Sequence, residues 1–278
     1  MYTPLQLAEA YLQTGELEAA LEALNTHLGD FPNDDYARRL RIHVLIDMPG
    51  GLDAALADLD GLIMPTGSDA GLRGRVLMKM GDYPGAASAF AQAWQHYPTL
   101  YAETYARVLL RLGDSEQALR ALAVLPPTWQ WHSWNADIYD LRGEFQKAVE
   151  HYTAALDGLT SAMAEADEPR LLDAMRANEL IKRGNALMRV GQFADADADY
   201  AAAAGIVPDD AAIPFNRGLT YLLRGDFERA LRLCREAWSR ANEGLREQMR
   251  VELAADPRYH ALAEALLGGS SDYLHPRP

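Results

Sequence analysis

Glycine recurs at positions 15, 50, 81, 113, 143, 191 and 225, and each time alanine follows five residues later: Ala20, Ala55, Ala86, Ala118, Ala148, Ala196 and Ala230. A register kept through every recurrence defines one structural unit used repeatedly, and a unit this short buries its apolar face only against its neighbours. Four residues before each glycine stands a large apolar side chain: Tyr11, Ile46, Leu77, Leu109, Tyr139, Leu187 or Tyr221. Seven before it stands a small one, Ala8, Gly74, Ala106, Ala136, Gly184 or Gly218, with His43 the exception. The pattern predicts a helix that ends at the glycine in the left-handed conformation, which a side chain resists. Small residues then let a second helix approach, and the large ones fill the gaps between its ridges. Nine residues after the glycine come Leu24, Leu59, Phe90, Leu122, Tyr152, Tyr200 and Cys234, the expected buried anchors of that second helix.

Hydrophobic residues make up 49% of the 278, enough to bury a core, and much of that share is alanine in runs such as "AAAAG" (201–205), which suits close-packed helices. The formal net charge of −14 repels phosphate backbones and anionic lipid, so nucleic acid and membrane surfaces are not expected partners. One cysteine, Cys234, permits no internal disulfide, and its anchor position argues for a packed thiol over a redox one. The opening "MYTPLQLAEAYLQTGELEAA" has neither the basic start nor the apolar run of a signal peptide, and no stretch is long enough to span a bilayer; a cytoplasmic location is expected.

"YLQTGELEAALEAL", "LMKMGDYPGAASAFAQAWQHYP" and "LMRVGQFADADADYAAAAGIVP" resemble tetratricopeptide (TPR) repeats, with that family's Gly, Tyr, Ala, aromatic and Pro pattern. The resemblance covers residues 1 to about 244 in seven units: 1–34, 36–69, 67–100, 99–132, 129–162, 177–210 and 211–244. "DMPGGL" interrupts the second unit and "LPPTW" the fourth. It implies an all-α, right-handed superhelical solenoid of helix-turn-helix repeats, read here as one domain over 1–267. A capping segment is expected at 245–267 and a disordered tail at 268–278. The glycines at 143 and 191 lie farther apart than the others, which predicts an elongated hairpin over 157–190, with Asp167 as N-cap and Pro169 opening a helix to about Val190. By resemblance the concave groove binds a peptide segment of a protein partner, so a non-enzymatic scaffold or adaptor is the leading expectation. A self-assembling structural protein and a small-molecule sensor are the alternatives, and homo-oligomerisation is left open.

No zinc-protease pair, phosphate cradle or nucleophile elbow is visible, so no catalytic residue and no cofactor are assigned. Asp195, Asp197 and Asp199 alternate as calcium ligands do, but they fall on a second helix as a solvated face, and the loop pattern fails at Tyr200 and Ile206; no metal is expected. His43 is read as a packed core histidine, and Trp129, Trp131 and Trp134 as filling around the Pro126–Pro127 break. Residues six and two before each glycine should face the groove: Glu9 and Gln13, Val44 and Met48, Arg75 and Lys79, Arg107 and Arg111, Asp137 and Leu141, Asn185 and Arg189, Leu219 and Leu223. Arg75, Lys79, Arg107 and Arg111 then form a basic patch suited to an acidic partner segment, Asn185 and Arg189 continue the face, and Leu219, Leu222 and Leu223 offer an apolar site. The terminal-carboxylate clamp of the family is not expected, because Leu5 and Glu9 stand where it needs lysine and asparagine.

Overall fold

The computed structural model describes residues 2–268. The tail expected to be disordered lies outside them, apart from Gly268. Among the described residues the fold is all-α, with sixteen α-helices, two short 3-10 turns and no strand. They form two compact units that meet in sequence at Leu125 and Pro126, within "LPPTW". The first unit pairs α1 (Pro4–Thr14) with α2 (Leu17–Asp30), α3 (Asp35–Asp47) with α4 (Leu52–Asp60), α5 (Gly67–Met80) with α6 (Tyr83–His96), and α7 (Pro98–Arg111) with α8 (Ser115–Leu122). The second pairs α9 (Trp129–Leu141) with α10 (Phe145–Glu165), α11 (Asp173–Arg189) with α12 (Phe193–Ile206), and α13 (Ala212–Leu223) with α14 (Phe227–Arg240). It ends in α15 (Glu243–Ala255) and α16 (His260–Leu267).

Two kinds of glycine build the hairpins. All seven register glycines have positive φ, from 72° to 86°, and a methyl group at six of them would meet nothing within 4 Å. Backbone conformation, not space, demands glycine there. At Gly74, Gly184 and Gly218 the reason is space: an added Cβ would lie 2.8 Å from Phe90, 2.7 Å from Tyr200 and 2.5 Å from the Cys234 sulfur. Small residue and anchor therefore interlock across each hairpin, and the seven alanines between them have no exposed surface.

The second hairpin departs from the expected register by one residue. In the sixth repeat Arg183 forms a two-bond ion pair with Asp199, both bonds 2.7 Å, and these residues stand eight before and eight after Gly191. Arg41 forms the same pair with Asp58, eight after Gly50, yet Arg41 stands nine before it. The additional residue is taken up where α3 stops at Asp47, Met48 turns extended and Pro49 follows. Ile42, fully buried, therefore occupies the small-residue site, and His43 is exposed, not packed in the core. Val44 is buried and Met48 half-buried against the first hairpin, so His43 and Asp47 take the face expected for them.

The insertion between repeats lengthens both helices. The 21-residue α10 is seven residues longer than α2, α6, α12 or α14, and α11 has 17 residues. Asp167 is not an N-cap: Pro169–Leu172 form a 3-10 turn, and α11 starts only at Asp173. Leu159 and Ala177 are buried, but between them no residue with a described side chain is. A hairpin end without buried contacts adds little to stability. Deleting Ala164 through Asp173 is expected to shift the melting temperature by no more than about 3 °C, the effect of roughly 1 kcal/mol. Circular dichroism melting checks this, and loss of the cooperative transition would place the segment in the core.

Candidate functional site

Helices α5 and α7 carry the basic residues picked out from the sequence, and α6 packs against both. The structure divides these cations by their surroundings. Lys79 donates from Nζ to Asp47 Oδ1 at 2.9 Å and to the Ile46 carbonyl at 2.7 Å. The Asp47 carboxyl is held below the usual carboxylate range, chiefly by that hydrogen bond and further by the charges of Lys79 and Arg75, against a smaller effect of burial. His43 belongs to the same group: the protein around its ring, and then Arg75, lower its pKa. Arg107 and Arg111 are exposed and Arg75 half-buried, and among the described residues none of the three has a carboxylate partner. Arg111 lies 5.6 Å over the Tyr83 ring, which orients the guanidinium without neutralising it. This face of the first unit thus presents three guanidinium groups with no carboxylate in hydrogen-bond contact, one ion-paired lysine and one histidine.

The corresponding face of the second unit is satisfied from within. Asp137 accepts hydrogen bonds from Tyr152 (2.7 Å) and Lys182 (3.0 Å), while Leu141 is exposed. Asn185 Oδ1 accepts from the Tyr200 hydroxyl at 2.7 Å and from Asn216 at 3.2 Å. Arg189 lies 4.0 Å from Glu252 of α15. Leu219 is 1% exposed in one core cluster with Met249 and Leu253 of α15, and Leu222 and Leu223 are half-buried against that cluster. A cleft of about 300 Å³ remains between α15 and the face of α11 and α13, lined in part by Asn185, Arg189, Asn216, Gln248 and Glu252. The apolar site expected at Leu219 is therefore covered by the chain's own helix.

Sequence reasoning missed the buried ion pairs. Asp199 is 6% exposed and bound to Arg183, and Asp197 accepts from Arg217 (2.7 Å) and the Tyr221 hydroxyl (2.6 Å), so of the three alternating aspartates only Asp195 is on a solvated face. Burial works against the Asp197 charge, but the hydrogen bonds from Arg217 and Tyr221 outweigh it and hold the carboxyl below its ordinary range. For Arg183–Asp199 the findable signal was an arginine and an aspartate placed symmetrically about Gly191; Arg217–Asp197 carries no such signal. Among the described residues no group of three or more histidine, cysteine or acidic side chains could hold a metal ion. Burial pushes the Cys234 thiol up to about 12, so it stays protonated and unreactive.

The three tryptophans at the start of α9 are half-buried. The Trp129 Cβ would lie 3.1 Å from a methyl placed on Gly158, and Trp131 packs beside His132 and His151, whose Nδ1 atoms are 3.2 Å apart. Burial lowers the pKa of both histidines, and the charge of His132 further opposes a proton on His151. The unfolded chain, with histidines near 6.5, binds these protons more readily than the native one. Stability from this pair is thus present above about pH 6.5 and is lost as pH falls below it. Urea midpoints should decline between about pH 6.5 and 5, and His132→Gln with His151→Gln should flatten that stretch. An unchanged slope in the double variant would refute the assignment.

Comparison with known proteins agrees with the fold. Three family models described as tetratricopeptide repeat match the chain, one at residues 104–164 and 181–243, one at 77–128 and one at 5–26. The chain is a tetratricopeptide repeat protein. Among curated proteins there is no match. Among solved structures, this TPR protein is similar to the C-terminal part of a TPR repeat-containing protein from Cytophaga hutchinsonii, with TM-score 0.65, 14% identity, 93% of this chain covered and 98% of that one. It is similar to MamA (TM-score 0.52, 17% identity, 63% of this chain and 91% of that one). It also resembles the APC/C hetero-tetramer Cut9–Hcn1 (TM-score 0.55, 14% identity, 95% of this chain and 48% of that one). At these identities the likeness is one of fold. No helix of the described residues is long and apolar enough to cross a membrane.

Proposed function

We propose that this TPR protein is a non-enzymatic interaction scaffold of the cytoplasm and that the inner face of α5 and α7 receives an acidic, extended segment of a protein partner. The observation that carries the reading is the set of guanidinium groups with no carboxylate in hydrogen-bond contact, at Arg75, Arg107 and Arg111, in a chain whose net charge is −14. Guanidinium groups bind carboxylates through paired, charge-assisted hydrogen bonds, and the surrounding negative charge disfavours non-specific anion binding elsewhere. That Cut9–Hcn1 is a hetero-tetramer supports a protein-binding role at the level of the fold. Lys79, tied to Asp47, contributes less than its place in the patch first indicated.

Fluorescence anisotropy with a labelled peptide of about a dozen residues, rich in aspartate and glutamate, tests the reading. Binding should be saturable at low salt and should weaken as the Debye length falls below about 8 Å. It should also tighten as pH drops from about 6.5 to 5, because burial and Arg75 hold the His43 pKa below its ordinary value and protonated His43 then adds a cation beside Arg75; His43→Gln should abolish that tightening. No saturable binding, or binding indifferent to salt, would overturn it.

A further inference from the structure

Helix α15 does two things that a simple terminal cap does not. It turns Leu245, Met249 and Leu253, at i, i+4 and i+8, to one side, with Glu252 at i+7 beside them. Met249 and Leu253 are fully buried against the core that includes Leu219 and Phe215 of α13 and Met188 of α11, and Glu252 faces Arg189. It therefore lies on the face where repeat position predicts a ligand, and it displays the chemistry that face accepts. Part of the capping comes from elsewhere: α16, with Leu262 and Ala263 buried, packs on α14 as well as on α15.

The seating of α15 is loose compared with the repeats. Within the hairpins a single added methyl would approach a neighbour to 2.5–2.8 Å, whereas beneath α15 about 300 Å³ is left between partly polar walls. The Arg189–Glu252 pair is at 4.0 Å with both side chains about half exposed, and Val251 on the outer side is 61% exposed. Both ends of the helix are extended joints, at Ala241–Asn242 and at Asp256 before Pro257, so α15 can swing without unwinding α14 or α16. On its other edge it is held to α14 by Arg246, whose Nε donates to the Trp238 carbonyl at 3.1 Å, and by Arg246 and Arg250 over the half-buried Trp238 ring.

We infer that the face of α11 and α13 is a helix-binding surface occupied by the chain's own α15, and that it accepts instead a partner's amphipathic helix bearing large apolar residues at i, i+4 and i+8 and an acidic residue at i+7. The partner helix replaces Met249 and Leu253 with its own apolar side chains and Glu252 with its own carboxylate, so the two occupants exclude one another. Displacement by a ligand requires that ligand to bind the open face better than the tethered helix does, which restricts the surface to close matches of this pattern.

The test uses the full chain and a fluorescein-labelled peptide of residues 242–256 as probe. Wild type should bind it weakly, since its own α15 is tethered in place. Met249→Asp, which unseats α15 in the chain and not in the probe, should bind it at least about tenfold more tightly, while a probe carrying the same change should not bind. A folded Met249→Asp chain that binds no better than wild type would overturn the inference. Hydrogen exchange of the unmodified protein keeps it testable if that variant fails to fold. Amides of 246–255 should exchange at least about a hundredfold faster than those of α11 and α13, and equal protection would show that α15 is a fixed part of the core. The probe is aimed at the second unit's face, so its failure leaves the acidic-segment reading of Arg75, Arg107 and Arg111 standing, and the converse also holds.

Discussion

Replacing Tyr200 by alanine is expected to remove about 3–5 kcal/mol from the unfolding free energy of the second unit. Its ring is fully buried, lies against Gly184 where a methyl group would come within 2.7 Å, and ends in a hydroxyl that donates to Asn185 at 2.7 Å. Truncation leaves a cavity that its surroundings cannot close, because Gly184 against the ring has no side chain and the buried Ala196 only a methyl to fill it. Tyr200→Phe separates the two contributions: it keeps the packing, loses the hydrogen bond, and should cost about 1 kcal/mol while Asn185 retains Asn216. Asp195→Ala, on the solvated face, should stay within about 0.5 kcal/mol. Urea unfolding followed by circular dichroism gives all three. A Tyr200→Ala loss no larger than that of Asp195→Ala would contradict the interlocking of small residue and anchor.

The second large effect is on binding. Charge reversal at Arg75, Arg107 and Arg111 to glutamate turns three attractive groups into three repulsive ones beside Asp47, which already carries a negative charge there. Affinity for an acidic segment should fall at least about a hundredfold, the equivalent of roughly 2.8 kcal/mol. Stability should change little, since these side chains are exposed or half-buried and no ion pair is broken. Lys79→Glu alone should do less to binding and more to the local fold, because Lys79 bonds both Asp47 and the Ile46 carbonyl at the end of α3.

How far the sequence was legible follows from which forces act at each position. The glycine and alanine register reports requirements of backbone conformation and van der Waals contact that admit almost no other residue, and those positions were read correctly through seven hairpins. The second repeat was misread because counting back from Gly50 assumes the usual junction, and Pro49 shortens α3 by a residue. Only the Arg41–Asp58 pair, compared with Arg183–Asp199, discloses the true register. The groove was legible as a set of positions but not as a free surface. Nothing in "EGLREQMRVELAAD" distinguishes a helix that continues the array from one that folds back over Leu219, since both need the same amphipathic pattern. The hairpin end was legible in length and not in detail: the additional residues were shared between α10 and α11, and "PRLL" became a 3-10 turn in place of a helical start capped by Asp167.

Identifying the proteins that co-purify from the chain's own host, with wild type and the Arg75, Arg107 and Arg111 reversal side by side, tests the account most directly. It predicts that a partner with an acidic segment is held by wild type, is released from it as salt rises above about 0.3 M, and is absent from the triple variant although that variant melts as wild type does. Retention of the same partner by the folded triple variant, unaffected by salt, would contradict it.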